Sequence, residues 1–95
     1  MKHINITIRG KVQAVGFRFS AMEKAFHCGI NGFAKNNGAD TVFIEAEGTP
    51  EMLDTFVAWC HRGPMGARVE NVLVEESPIK NFSSFDIVGR DFVSE

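Results

Sequence analysis

The chain is expected to fold as a single α+β domain, residues 1–95, in the split βαβ arrangement, and three features of the sequence carry that expectation. Several short segments alternate apolar and polar residues with a period of two, the mark of strands with one buried face. Two longer stretches place apolar residues at helical spacing and end at a glycine. Their order is β-α-β-β-α-β, followed by one more short strand, with no repeat, low-complexity tract or linker between them. Such an order gives an antiparallel sheet with two helices on one face.

The first strand is carried by Ile4, Ile6 and Ile8, which alternate with His3, Asn5, Thr7 and Arg9. After the turn GKVQAVG, the stretch FRFSAMEKAFHC reads as a helix with Phe17, Ala21, Ala25 and Phe26 as its stripe and Gly29 as its stop. Two starts are open. Ser20 and Glu23 fit a capping box, whereas Phe17 and Arg18 can form the first turn. INGFAKN and DTVFIEAEG are two strands joined by the turn-rich NGAD, with Val42, Ile44 and Ala46 on one face and Phe43, Glu45 and Glu47 on the other. The second helix follows from Thr49 as N-cap, Pro50 at the first helical position and Gly63 at the end. Its stripe is Leu53, Phe56, Val57 and Cys60, at i, i+3, i+4 and i+7. RVENVLVEES is the fourth strand, and FSSFDIVGR contains a short fifth one with Phe85 and Ile87 on one face.

Composition narrows the function. Net charge is −2, with 44% apolar and 23% charged residues. A general nucleic-acid binder needs a basic face to neutralise phosphates, so no nucleic-acid partner is expected. The apolar runs are too short to span a membrane, and the first ten residues lack the apolar core of a signal peptide, so the expectation is a cytoplasmic protein without a membrane partner. Cys28 and Cys60 form no CxxC and no metal spacing with His3, His27 and His61. Both thiols are read as buried apolar residues, and the three histidines as solvent-facing or satisfied ones. Since each cysteine ends one of two antiparallel helices, no disulfide joins them. No metal or cofactor is expected, and nothing demands more than a monomer.

The topology has a consequence for chemistry. With strand order 4-1-3-2, strands one and two run parallel with strand three between them, so their C-terminal ends reach the same edge of the sheet. The turn from Gly10 to Arg18 and the residues around Asn36 therefore emerge about 10 Å apart, two inter-strand spacings. Charge is uneven here: residues 1–22 hold Lys2, Arg9, Lys11 and Arg18 but no acid, the first being Glu23. A cation near a helix start opposes the helix dipole by roughly 0.3–1 kcal/mol. A phosphate-like dianion held between backbone N–H groups of the turn and the Arg18 guanidinium reverses that penalty. The spacing alone also fits a plain tight turn followed by a solvated arginine, and Asn36 also fits a simple turn residue. No Walker or GxGxxG pattern points to a nucleotide.

Two segments together narrow these alternatives. GKVQAVGFR resembles the acylphosphatase signature G-x-V-Q-G-V-x-F-R, and GFAKNNGADTVFIEAEG resembles the second signature of that family. The later FVAWCHRGPMGARVENV also fits the family's helix, G-P loop and following strand, so the resemblance covers essentially the whole chain. It implies a ferredoxin-like split βαβ fold and metal-independent hydrolysis of the carboxyl–phosphate bond of small-molecule acyl phosphates. It further implies that Arg18 binds the substrate phosphate with the loop Val12, Gln13, Ala14, Val15, Gly16 and Phe17, and that Asn36 orients the attacking water. An amide is too weak a base to deprotonate water, so the substrate phosphate is expected to take the proton.

Three residues depart from the family pattern. Ala14 stands where glycine is usual and strains the loop if its φ is positive. Phe33 replaces tryptophan, and Ala34 replaces valine. Thr41 closes the hairpin or bonds near Asn36, and Lys35 is read as a solvated charge at a strand end. The main alternative is a non-catalytic phosphate- or anion-binding module on the same fold. An RNA-binding sheet fits poorly because Glu45 and Glu47 flank Phe43. A carbamoyl-phosphate-specific relative is weakened by the lack of a further domain to feed.

Overall fold

Strand β1, Lys2–Lys11, buries Ile4, Ile6 and Ile8 on one face, as its alternation demands. The computed structural model describes residues 1–89. Helix α1 (Phe17–Cys28), β2 (Asn31–Asn36), β3 (Thr41–Gly48), α2 (Pro50–Arg62), β4 (Arg68–Ser77) and β5 (Phe85–Val88) follow in order. The sheet runs β4-β1-β3-β2-β5. β3 pairs antiparallel with both β1 and β2, which makes β1 and β2 parallel to each other. The edge strand β5 joins β2 in parallel, so the five-stranded sheet is mixed rather than wholly antiparallel. Arg90, which the sequence pattern attaches to this strand, lies outside the described residues.

The core lies between the sheet and the two helices. Ile6, Ile8, Val42, Ile44, Ala34 and Ala46 are fully buried beneath Phe17, Ala21 and Ala25 of α1 and Leu53, Phe56 and Cys60 of α2. Trp59 of α2 joins the helices, its ring 5.2 Å from that of Phe17 and 6.1 Å from that of Phe56. The Thr49 hydroxyl accepts from the Met52 N–H, as a cap before Pro50 should. Both cysteines are unpaired and buried, and burial pushes the Cys60 thiol up, away from reactivity.

The stripe assigned to α1 needs one correction. Phe26 does not face the core: it is 81% exposed, and Cys28 takes the buried place one turn further on. Ala25 and Phe26 are 100° apart on a helix, so only one of them can lie on the line through Phe17 and Ala21. Of the two starts left open for α1, the earlier holds. Phe17 opens the helix after Gly16, which is left-handed (φ 74°) and offers no side-chain cap.

The opposite face of the sheet is less solvated than its sequence suggests. Glu45 and Glu47 are buried there, because the connection before β5 packs across them. The Glu47 carboxylate accepts from the backbone N–H groups of Lys80, Asn81 (3.2 Å) and Phe82 (2.8 Å), and from His3 at 2.8 Å. His3 is thus a buried, satisfied histidine, with Glu45 at 3.0 Å on its other nitrogen and the Phe82 ring stacked at 5.8 Å. Lys35 is not simply solvated; its ammonium lies 5.8 Å from the centre of the Phe43 ring.

Burial alone would raise the Glu47 pKa, but the Lys80 N–H, the His3 ring, the Phe82 N–H and the charge on His3 outweigh it and bring the group from the ordinary 4.5 down to about 2. A carboxylate whose pKa is lowered by folding stabilises the fold above its unfolded value and loses that contribution as pH falls through the folded one. Urea denaturation is therefore expected to show wild type more stable than Glu47→Gln at pH 7, by of order 1 kcal/mol or more. That gap should shrink between about pH 4.5 and 2. A gap independent of pH would contradict the assignment.

Candidate active site

The site begins where β1 leaves the sheet. β1's pairing with β4 shifts register between Arg9 and Gly10, and at this bulge Gly10 lies so close to β4 that a Cβ would meet the Arg68 carbonyl oxygen at 2.1 Å. Only glycine fits there. The chain then turns through Ala14 (φ 61°) and Gly16 (φ 74°), two left-handed residues that curl the backbone before α1. The first in-helix hydrogen bond is the Ser20 N–H to the Gly16 carbonyl at 3.0 Å. Such a turn at a helix start directs backbone N–H groups into one concavity, and the helix dipole adds positive potential.

Strand register brings the second segment to the same rim. Val42 of β3 lies opposite Ile8 on one side and Asn36 on the other, so Asn36 is level with Ile8 and about 10 Å across the sheet from it. The loop and the β2–β3 hairpin are then joined directly. The Gly10 N–H donates to the Asp40 carbonyl at 3.0 Å, while the Gln13 side-chain amide donates to the carbonyls of Gly38 (2.6 Å) and Thr41 (2.9 Å). Thr41 closes the hairpin: its carbonyl accepts from the Asn37 N–H, and its hydroxyl donates to Asp40.

The result is a cradle of about 20 Å³ bordered by Val12, Gln13, Ala14, Gly16, Phe17, Arg18 and Asn36, with Phe19 and Ile87 completing it. Of the residues expected at the site, all but Val15 line this concavity; Val15 packs against the hydrophobic core instead. The Arg18 side chain is not a solvated surface group. It is only 7% exposed, and its Nη1 donates to the Val88 carbonyl at 2.8 Å. Of the other early cations, Lys2 reaches Glu76 (3.9 Å) and Arg9 reaches Asp40 (3.8 Å), both on the exposed surface. No histidine or carboxylate is among the described residues that border the cradle.

Sequence reasoning missed the part played by β5. Ile87 borders the cradle and the Val88 carbonyl accepts from the Arg18 guanidinium, yet the short strand's place beside β2 follows from no rule of the four-stranded split βαβ frame. The alternation of Phe85 and Ile87 was the available signal, since it marks a strand with a face against the helices.

A profile of the acylphosphatase family matches residues 4–87. The chain belongs to the acylphosphatase family. Within it, the acylphosphatase of Geobacter sulfurreducens is 40% identical over 83 residues, spanning 86% of this chain and 91% of its own. That of Methylococcus capsulatus is 37% identical over 89 residues, spanning 93% and 97%. The crystal structure of acylphosphatase from Bacillus subtilis superposes with a TM-score of 0.91 at 32% identity, covering 94% of this chain and all of the other. The ferredoxin-like frame expected from the family is thus the observed one, extended by β5.

One departure from the family pattern now has a sign. Ala14 adopts φ 61°, a region that costs an alanine of order 1 kcal/mol or more and glycine almost nothing. Ala14→Gly is expected to stabilise the protein by about 1 kcal/mol, because relief of strain exceeds the added freedom of the unfolded chain. The midpoint of urea unfolding checks this. A lower midpoint would mean that the alanine methyl contributes packing that outweighs the strain.

Proposed function

We propose how this chain, a hydrolase of acyl phosphates by family membership, carries out its reaction. The backbone of residues 12–18 and the Arg18 guanidinium hold the phosphoryl group, and Asn36 holds the attacking water. The water oxygen bonds to phosphorus, the bond from phosphorus to the acyl oxygen breaks, and the carboxylate leaves with the electron pair. The water proton passes to a phosphoryl oxygen, so a dianionic acyl phosphate and water become a carboxylate and a monoanionic phosphate. The observation that supports this most is the shared cradle: Arg18 and Asn36 border one small concavity whose described lining has no histidine or carboxylate to act as base. Positioning and electrostatic stabilisation suffice for a substrate that is already activated.

The enzyme is read as a cytoplasmic monomer acting on a small molecule, with no nucleic-acid or membrane partner and no metal or cofactor in the reaction. The buried, unpaired thiols accord with a reducing compartment, and no described helix is long and apolar enough to cross a membrane. Hydrolysis of benzoyl phosphate, with and without a chelator, tests the reading. Turnover undiminished by the chelator and inhibited competitively by inorganic phosphate is the expected result. Phosphate binding without turnover would make the chain an anion-binding module on the same fold.

A further inference from the structure

The cradle is too small for the rest of the substrate. A concavity of about 20 Å³ has no room for an acyl chain beside the phosphoryl group and its water, so the acyl part must lie outside it. The direction is set by Phe19, which borders both the cradle and a far larger groove of about 890 Å³. This groove follows the outer side of α1 toward the start of β2, with Phe19, Met22 and Phe26 on the helix and Ile30 and Phe85 opposite. Phe85 belongs to the groove and Ile87, two residues on and on the same face of β5, belongs to the cradle, so a second wall is also continuous.

The residues here are unusual for a surface. α1 already buries Phe17, Ala21, Ala25 and Cys28, and no fold requirement calls for a second apolar stripe. Yet Phe19 and Phe26 are 68% and 81% exposed, and with Met22 they stand at i, i+3 and i+7 on one side. From Phe19 to Phe26 the stripe extends about 10 Å along the helix axis, the length of a medium acyl chain. Glu23 on the same groove is a carboxylate that repels a second carboxylate on the acyl group.

We infer that the α1–β5 groove is the acyl subsite, and that the substrates this enzyme favours are acyl phosphates with a medium-length alkyl or aryl acyl group. The inference rests on the acyl-phosphate reading above. Its test compares kcat/KM for octanoyl phosphate and acetyl phosphate in wild type, Met22→Glu and Phe26→Glu, with sedimentation run on each protein. Neither substituted residue borders the cradle. Wild type is expected to favour octanoyl phosphate by about tenfold or more, since each methylene held against an apolar wall adds to discrimination. Both variants should fall to within about threefold of parity while acetyl phosphate turnover stays within about twofold of wild type.

Equal use of the two substrates by wild type, or a preference kept by both variants, would overturn the inference while leaving the hydrolase reading intact. No hydrolysis of either substrate would instead defeat the reading beneath it. A wild-type dimer that Phe26→Glu splits would assign the groove to a second copy. A preference that emerges only in a chain ending at Gly89 would assign it to the chain's own C-terminal residues. Either result would overturn the acyl subsite.

Discussion

Arg18→Gln is expected to lower kcat/KM for benzoyl phosphate by roughly a thousandfold or more. Glutamine has a similar reach, but it carries no charge and lacks the planar fork that grips two phosphoryl oxygens. The lost interaction strengthens as charge moves onto the phosphoryl oxygens and the leaving carboxylate, so kcat falls together with substrate affinity. The inhibition constant for inorganic phosphate should rise in parallel, because product uses the same contact. Arg18→Lys provides the informative control. It restores charge without the fork and should recover only part of the activity. Because the side chain is nearly buried and its Nη1 donates to Val88, unfolding must be measured alongside. A folded Arg18→Gln protein with unchanged phosphate inhibition would remove the guanidinium from the site.

Asn36→Ala is expected to lower kcat by roughly a hundred- to a thousandfold, with much less change in KM or in phosphate inhibition. The amide both donates and accepts, so it can fix a water by two contacts without deprotonating it. Its loss removes orientation and leaves the anion grip in place. The contrast between the two variants is the sharper test. An arginine that grips and an asparagine that orients predict different patterns in kcat and in phosphate inhibition. Fold disruption by Asn36→Ala would move both parameters and the unfolding midpoint together. Unchanged turnover in that variant would end the assignment of Asn36.

Much of this molecule can be read from short-range patterns. Alternating isoleucines mark β1, Thr49 and Pro50 mark the start of α2, and two glycines stop the helices, because each of these signals is local chemistry. The meeting of the loop with Asn36 is also legible, since strand order alone puts the ends of β1 and β2 at one edge. What local patterns miss depends on contacts distant in sequence. The burial of Glu45 and Glu47 comes from residues 80–82, more than thirty positions away. A hydrogen bond that helps hold Arg18 comes from Val88, seventy positions away. Phe26 misled for a different reason: its apolar character suited the core, but helical geometry gave that place to Ala25 and Cys28. Whether Ala14 was harmful or harmless turned on one torsion angle that no residue pattern specifies.

The hydrogen bonds from Gly10 and Gln13 to the 38–41 backbone have a consequence for how this chain can vary. A hairpin tip is ordinarily the most permissive place in a domain for inserted residues. Here the carbonyls of Gly38, Asp40 and Thr41 are spoken for by the neighbouring segment, so lengthening the tip by even one residue would withdraw acceptors that hold the Gly10–Gly16 turn in shape. Evolution of new acyl specificities is therefore channelled toward the outer flank of the first helix, where side chains can change without disturbing that seam.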